Sequence, residues 1–176
     1  STGKDEIKIV KFLKKFNFEL GFCLGWSHIL SLKVLNLAKL SFIGYHPAKL
    51  PFNRGRHPII WALVLGLKET ASTFFVMNQF ADQGRILDQK RVVIRKNDTA
   101  QTLYHKLVSI SKKQINFVTK SFLQDKIRLV KQNEKIGNKW RRRTKEDGII
   151  DWRMSYDSIN NLVRALYKPY PGAVSF

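Results

Sequence analysis

Short apolar and aromatic runs alternate along this chain with segments of helical apolar spacing, and that alternation is the strongest constraint on its fold. Residues 4–16 place Ile7, Val10, Leu13 and Phe16 near one face of a helix whose other positions are rich in lysine. Residues 18–24, Phe-Glu-Leu-Gly-Phe-Cys-Leu, read as a buried strand ending at Gly25. Ser31 can cap a short helix holding Leu32, Val34, Leu35 and Leu37, and a strand follows at 41–45. Helix and strand in turn imply the α/β class with parallel pairing, because parallel neighbours need a crossover between them.

Residues 46–58, His-Pro-Ala-Lys-Leu-Pro-Phe-Asn-Arg-Gly-Arg-His-Pro, are too rich in Pro and Gly for a regular element. Pro58 suits the first position of the next helix, 59–65, which is apolar nearly all round and closes at Gly66. Two strands are expected at 70–77 and 86–94. A long amphipathic helix from Thr99 to about Phe122 turns Leu103, Leu107, Ile110 and Phe117 inward. A short strand at 149–152 precedes a helix capped by Ser155 and stopped by Pro169 and Pro171. No repeat, Gly/Ser linker or low-complexity tract divides residues 1–176, so one domain is expected.

The chain has 32 Lys and Arg against 13 Asp and Glu, a formal charge of +19, with 44% hydrophobic residues. That apolar fraction excludes a disordered basic tail. The cations suit RNA, an anionic membrane surface or phosphate-bearing metabolites, or simply a solvated basic surface. No apolar run reaches the roughly 20 residues of a membrane span and the first residues have no signal-like stretch, so a soluble, cytoplasmic protein without membrane insertion is expected. The single Cys23 excludes an internal disulfide framework and reads as a packed small hydrophobe.

Three loops carry reactive residue types: 25–30, 44–57 and 78–85. Two follow expected strands directly, as loops lining a crevice at strand carboxyl ends do. His46 and Asp82 are the acid/base candidates, since an imidazole works near neutral pH and a carboxylate can fix its tautomer. His28, His57 and His105 form no His-x-x-x-His pair, so no metal site is expected. Residues 53–56, Asn-Arg-Gly-Arg, suit either an anion at the following helix or a loop pinned by arginine hydrogen bonds. Trp140 with Arg141, Arg142 and Arg143 suits a diphosphate or RNA, or a solvated turn.

The segments His46-Pro-Ala-Lys-Leu-Pro51, Arg54-Gly-Arg-His-Pro-Ile-Ile-Trp-Ala62, Ala81-Asp-x-Gly-x-Ile-Leu-x-Gln89 and Asp98-Thr-Ala100 resemble the folate-dependent formyltransferases. That family includes methionyl-tRNA formyltransferase, glycinamide ribonucleotide formyltransferase and the sugar N-formyltransferases. Trp140-Arg-x-Arg-x-x-Glu-Asp-Gly-x-Ile-Asp-Trp152 and Asn161-Leu-Val-Arg-Ala-Leu166, with Pro169-Tyr-Pro-Gly-Ala173, resemble the sugar-modifying branch. The resemblance implies a Rossmann-like α/β fold with a mainly parallel sheet, and a chain lacking the first strands of a typical member.

It also implies transfer of a formyl group from 10-formyltetrahydrofolate to the amine of a nucleotide-linked amino sugar, a step toward surface polysaccharides such as lipopolysaccharide. A tRNA acceptor, or a binding protein without turnover, is the alternative. His46 and Asp82 match the family histidine and aspartate, implying hydrogen-bond reach of about 2.6 to 3.2 Å, directly or through one water. Trp26, Ser27, His28, Ile29 and Leu30, with Ala81, Gln83 and Gly84, are implied as the reduced-folate pocket. Asn53, Arg54, Arg56, Trp140, Arg141, Arg143 and Tyr170 are implied on the acceptor side, with residues 140–176 as the acceptor segment. No stable nucleic-acid partner is expected, and a homodimer is admitted. The family Asn-x-His reads Gly44-Tyr45-His46 here; losing an amide aimed at the oxyanion costs on the order of 10²-fold in rate if nothing replaces it.

Overall fold

The computed structural model describes residues 3–26 and 28–176. Strands β1 (Leu20–Cys23), β2 (Ser41–His46), β4 (Glu69–Val76) and β5 (Ile86–Val93) form a four-stranded sheet in the order β1-β2-β4-β5. The short strands β3 (Arg54–Gly55) and β6 (Lys139–Trp140) pair separately, in parallel. Helices α1 (Gly3–Leu13), α2 (Leu32–Leu35), α3 (Pro58–Val64), α4 (Ala100–Leu123) and α5 (Tyr156–Ala165) complete the order. The α/β class agrees with the sequence reading.

Alternate side chains of a strand point to opposite faces, and β2 shows the division. Phe42 packs with Leu30, Val34 and Ala38 under α1 and α2. Its neighbour Ile43 packs with Phe74, Val118 and Phe122 under α4. A third cluster joins α3 and α5 to the first half of α4 through Ile60, Leu63, Leu103, Leu107, Leu162 and Leu166. Leu63, Leu103 and Leu107 are fully buried, and each contributes roughly 1.5–3 kcal/mol of apolar transfer.

The caps follow the sequence closely at three helices. Thr99 and Thr102 exchange the reciprocal bonds of a capping box at α4, Ser155 accepts from the Ser158 N–H at α5, and Gly66 takes a φ of 62° just past α3. At α2, Ser31 holds the N-cap position but its hydroxyl donates to the Glu6 carboxylate at 2.5 Å instead of capping.

The sheet is mixed where mainly parallel pairing is expected. Only β1 and β2 run parallel, while β2–β4 and β4–β5 are antiparallel. No crossover helix separates β4 from β5, so the chain simply reverses between them. The expected buried strand at 18–24 is a sheet edge, half-exposed, with Phe22 pointing outward. The expected strand at 149–152 is replaced by a 3₁₀ turn, Glu146–Gly148, and a single bridge from Ile149 to Val174. Phe117 of α4 faces solvent, and Gln114, Val118 and Phe122 take the inward positions, because they continue the stripe of Leu103 and Leu107 at 3.6 residues per turn and Phe117 falls to its side. Among the described residues no helix is long and apolar enough to cross a membrane.

Candidate active site

His46 is the last residue of β2 and is buried at 5% exposure. Its neighbours fix the loop that follows. Thr70 Oγ1 donates to the Pro47 carbonyl and Thr73 Oγ1 to that of Ala48, while Gln89 Nε2 donates to the Leu50 carbonyl and to Thr73 Oγ1. The Gly66-x-x-x-Thr70 and Ile86-Leu-x-Gln89 segments thus act on the loop at 47–50 through ordinary backbone satisfaction.

The loop turns at Asn53, where φ is 63°, and brings its carbonyl back to the ring: His46 Nε2–H donates to Asn53 O at 2.8 Å. A carbonyl can only accept, so the proton of the neutral imidazole sits on Nε2 and the lone pair on Nδ1. Nδ1 faces Asp82, with its Oδ2 at 3.7 Å. This is an ion-pair distance, longer than the expected direct hydrogen bond. Asp82 Oδ2 instead accepts the Gly55 N–H at 2.9 Å.

Asp82 reaches the site from the connection between antiparallel β4 and β5, which folds back over the sheet face carrying Gly44. The site nonetheless lies where the parallel pair β1 and β2 ends, with Cys23, Gly44 and Tyr45 lining it beside the loop that follows β1, as the sequence suggests. Asp82 has a φ of 56°, uncommon for a residue with a side chain, and is held there by its surroundings. Gln132 Nε2 donates to the carbonyls of Asp82 and Gly84 at 2.9 and 2.7 Å.

Asp82 lines a cavity of about 290 Å³ together with Gly44, Tyr45 and Gly55, while the buried His46 ring is not itself in the lining and reaches it through Asp82. Trp26, His28, Ile29 and Leu30 line the same cavity, as do Asn78, Phe80 and Ala81, so most of the expected folate residues meet here. Ser27 lies outside the described residues. Gln83 and Gly84 are not in the lining; Gly84 is buried against β4, where a Cβ would come within 1.6 Å of the Val76 carbonyl oxygen. The cations Arg56 and Lys139 also belong to the lining.

The floor is Gly44. A Cβ there would lie 2.7 Å from Phe75 Cζ and 3.0 Å from Met77 Cγ, so the space of the family asparagine is filled by apolar side chains. Cys23 lines the same floor, and burial pushes its thiol above the ordinary range. Asn53 offers the ring its carbonyl through the backbone.

The remaining acceptor-side candidates are engaged elsewhere. Arg54 is buried, donating from Nε and Nη2 to Gln132 Oε1 at 3.2 and 2.7 Å, which is the loop-pinning alternative. Trp140 is buried beside Trp61, with ring centroids 6.2 Å apart. Arg143 lies over the Trp61 ring and donates to the Asp147 carbonyl; burial pulls its guanidinium below its ordinary value. Arg141 pairs with Asp147, whose carboxyl it holds well below the usual range. His57 accepts the Arg143 N–H on Nδ1, and burial with the charges of Arg56, Arg142 and Arg143 pulls its imidazole below the ordinary value. Tyr170 packs partly buried against the α3–α5 cluster.

Gln132, Asn138, Phe75 and Met77 escape the sequence reading. Gln132 and Asn138 lie in a polar stretch without periodicity, and Asn138 Oδ1 accepts the Asn53 N–H at 2.6 Å. The clue was available at Gly44, since a glycine inside a strand marks a close approach by something else.

Comparison with known proteins bears on the fold and the family. Over 172 residues the chain is 34% identical to the bifunctional polymyxin resistance protein ArnA of Wigglesworthia glossinidia brevipalpis, covering 98% of this chain and 26% of that protein. The chain thus spans about a quarter of that relative's length. A 4-N formyltransferase from Francisella tularensis superposes with a TM-score of 0.79 at 21% identity, over 99% of this chain and 70% of the other. An N-formyltransferase from Helicobacter canadensis, solved with folinic acid and dTDP-3-aminofucose, gives 0.70 at 22% identity over 82% of this chain and 53% of the other. At such identities these two likenesses establish the fold. The formyl transferase C-terminal domain profile matches residues 142–176. The formyl transferase profile itself matches residues 1–119, a span that holds both His46 and Asp82, and the chain belongs to that family.

Proposed function

We propose that this chain carries the site of a sugar N-formyltransferase, moving a formyl group from 10-formyltetrahydrofolate to the amine of a nucleotide-linked amino sugar destined for surface polysaccharide. The observation that carries the reading is the approach of His46 Nδ1 to within 3.7 Å of Asp82, a residue that lines one cavity together with Trp26, His28, Ile29 and Leu30. The cavity is at the small end of ligand sites and apolar apart from a few polar groups, which suits a flat heterocycle. In this reading backbone groups of the lining residues Asn78, Phe80, Ala81 and Asp82 bond to its edge. Family membership and the folinic acid and dTDP-3-aminofucose named for the Helicobacter protein support the same donor and acceptor classes.

In this reading the donor supplies the formyl carbon and receives a proton on the nitrogen it leaves. The acceptor amine forms the new C–N bond as the bond to that nitrogen breaks, and the amine proton travels to it. Nε2 of His46 is committed to Asn53 O, which leaves Nδ1, the ring atom turned toward Asp82 of the cavity lining, for proton transfer. The ring can take the amine proton there, and as imidazolium it stabilises the oxygen that gains charge. Asp82, 3.7 Å away, stabilises the charged ring. Arg56 and Lys139 of the lining hold acceptor phosphates, and residues 140–176 form the acceptor-side segment behind Lys139. Phe75 at the place of the family amide favours a second reading, donor binding with little turnover.

The test is formyl transfer by the full-length protein, offered dTDP- or UDP-linked amino sugars and, separately, methionyl-tRNA, at 50 and 200 mM salt. Sugar-nucleotide turnover with modest salt dependence is expected, because two or three phosphate charges engage few cations. A tRNA acceptor would lose roughly 10³ to 10⁵ in affinity over the same range. Turnover of methionyl-tRNA alone overturns the sugar assignment, and folate binding without any turnover establishes the second reading.

A further inference from the structure

We infer that Gln132 is a positioning residue for Asp82, joining the two loops of the site into one unit. The inference rests on the formyltransferase reading of His46 and Asp82 and adds a residue to it.

Gln132 is 5% exposed and uses both ends of its amide. Nε2 donates to two carbonyls of the Asp82 connection, while Oε1 accepts two bonds from the buried Arg54 guanidinium. Arg54 stands between the two residues that touch the catalytic pair. Asn53 O accepts from His46, and the Gly55 N–H donates to Asp82 Oδ2. The amide therefore closes a ring of contacts: His46 to Asn53, through Arg54 to Gln132, on to Asp82, and back through Gly55 and the carboxylate to the ring nitrogen.

The arm carrying Gln132 is fixed at both ends. Before it, Val130 exchanges backbone bonds with Ile86 at 2.8 and 2.9 Å. After it, Asn138 O accepts the Arg54 N–H and β6 pairs with β3. The approach is close enough to demand glycine on both sides. A Cβ at Gly137 would sit 2.6 Å from the Pro51 carbonyl oxygen, and one at Gly55 would sit 2.2 Å from that of Trp140. Asp82 has an uncommon backbone conformation, which persists where surrounding contacts over-determine it. Gln132 supplies two of those contacts to the connection, one to Asp82 itself and one to Gly84. Without them the carboxylate loses its fixed bearing on Nδ1, and misplacement by about 1 Å costs on the order of 10²-fold in rate.

The experiment compares wild type, Q132M and Q132E in the full-length protein. Q132M removes both functions of the amide. Q132E keeps an acceptor for Arg54 and turns the two N–H donors into a carboxylate oxygen facing the Asp82 and Gly84 carbonyls, so it breaks the contacts to the connection while keeping the one to Arg54 that Q132M loses. Two readouts are used. Amide hydrogen exchange follows the Gly55 N–H, whose protection reports its bond to Asp82; it is expected to exchange about 10-fold faster or more in Q132E, with the β4 amides unchanged. Formyl-transfer kinetics are expected to show kcat lowered about 10- to 100-fold with donor affinity within about 3-fold. In a D82N background the same substitution should change kcat by less than about 2-fold, because both residues act through one carboxylate.

Unchanged Gly55 protection in Q132E, or an undiminished kcat loss on top of D82N, overturns the inference. If wild type transfers no formyl group, the functional reading fails on its own account, and Gly55 exchange still decides whether the clamp exists.

Discussion

Restoring the family asparagine by Gly44→Asn should destabilise the protein. The structure places the new Cβ 2.7 Å from Phe75 Cζ, where ordinary contacts begin at 3.4 Å, so the ring must retreat by roughly 0.7 Å or more. Phe75 is 4% exposed and Met77 lies 3.0 Å from the same Cβ, so both side chains must give way, with only the cavity they line to move into. Overpacking of this kind costs about 1–3 kcal/mol. For a domain of this size each kcal/mol moves Tm by about 2–4 °C, so thermal denaturation should show a fall of about 2–12 °C. The companion variant F75L destabilises by the volume it removes. The double variant G44N/F75L should recover part of the sum, with a favourable coupling of about 0.5–3 kcal/mol. An unchanged Tm for G44N, or strictly additive effects, refutes the claim that Phe75 occupies the place of the missing amide.

Three further outcomes can be checked independently. Gly84→Ala puts a methyl 1.6 Å from the Val76 carbonyl oxygen, so it should reach or exceed the upper end of the ~1–3 kcal/mol overpacking range and abolish reduced-folate binding, read by thermal melts and titration. Arg143→Met removes a guanidinium lying 4.7 Å from the Trp61 ring centroid and its bond to the Asp147 carbonyl, and should cost about 1–3 kcal/mol in a denaturant melt. Burial pushes Asp98 up, but bonds from Lys106, the Arg95 N–H and Thr102 outweigh it and hold the carboxyl below 3.8. The folded state therefore keeps the charge where the unfolded chain has taken up a proton, and this stabilisation is present above pH 3.8 and lost as pH falls through the lower folded value. The Tm gap between wild type and D98N should be full at pH 7 and shrink below pH 4; a gap that widens on acidification contradicts this assignment.

Local pattern carried much of the architecture. Apolar spacing located α1, α4 and α5, and Pro58 and Gly66 bounded α3 within a residue. These features depend on residues within one or two turns, which is why composition and spacing suffice. Motif order added His46 and Asp82, two residues 36 positions apart whose meeting no periodicity could reveal.

Tertiary contacts set everything that depends on how distant segments cross. The antiparallel return of β4 and β5 made the sheet mixed, and the same return delivered Asp82 over the face of Gly44. Trp140 and Arg143 read as ligand-facing from their chemistry, yet Trp61, almost 80 residues earlier, gives them a partner inside the protein. Gln132 is an unremarked amide in a polar stretch until its neighbours are known. A buried amide is informative only through what satisfies it, and its satisfaction here is shared among Arg54, Asp82 and Gly84, which the chain brings together only once it is folded.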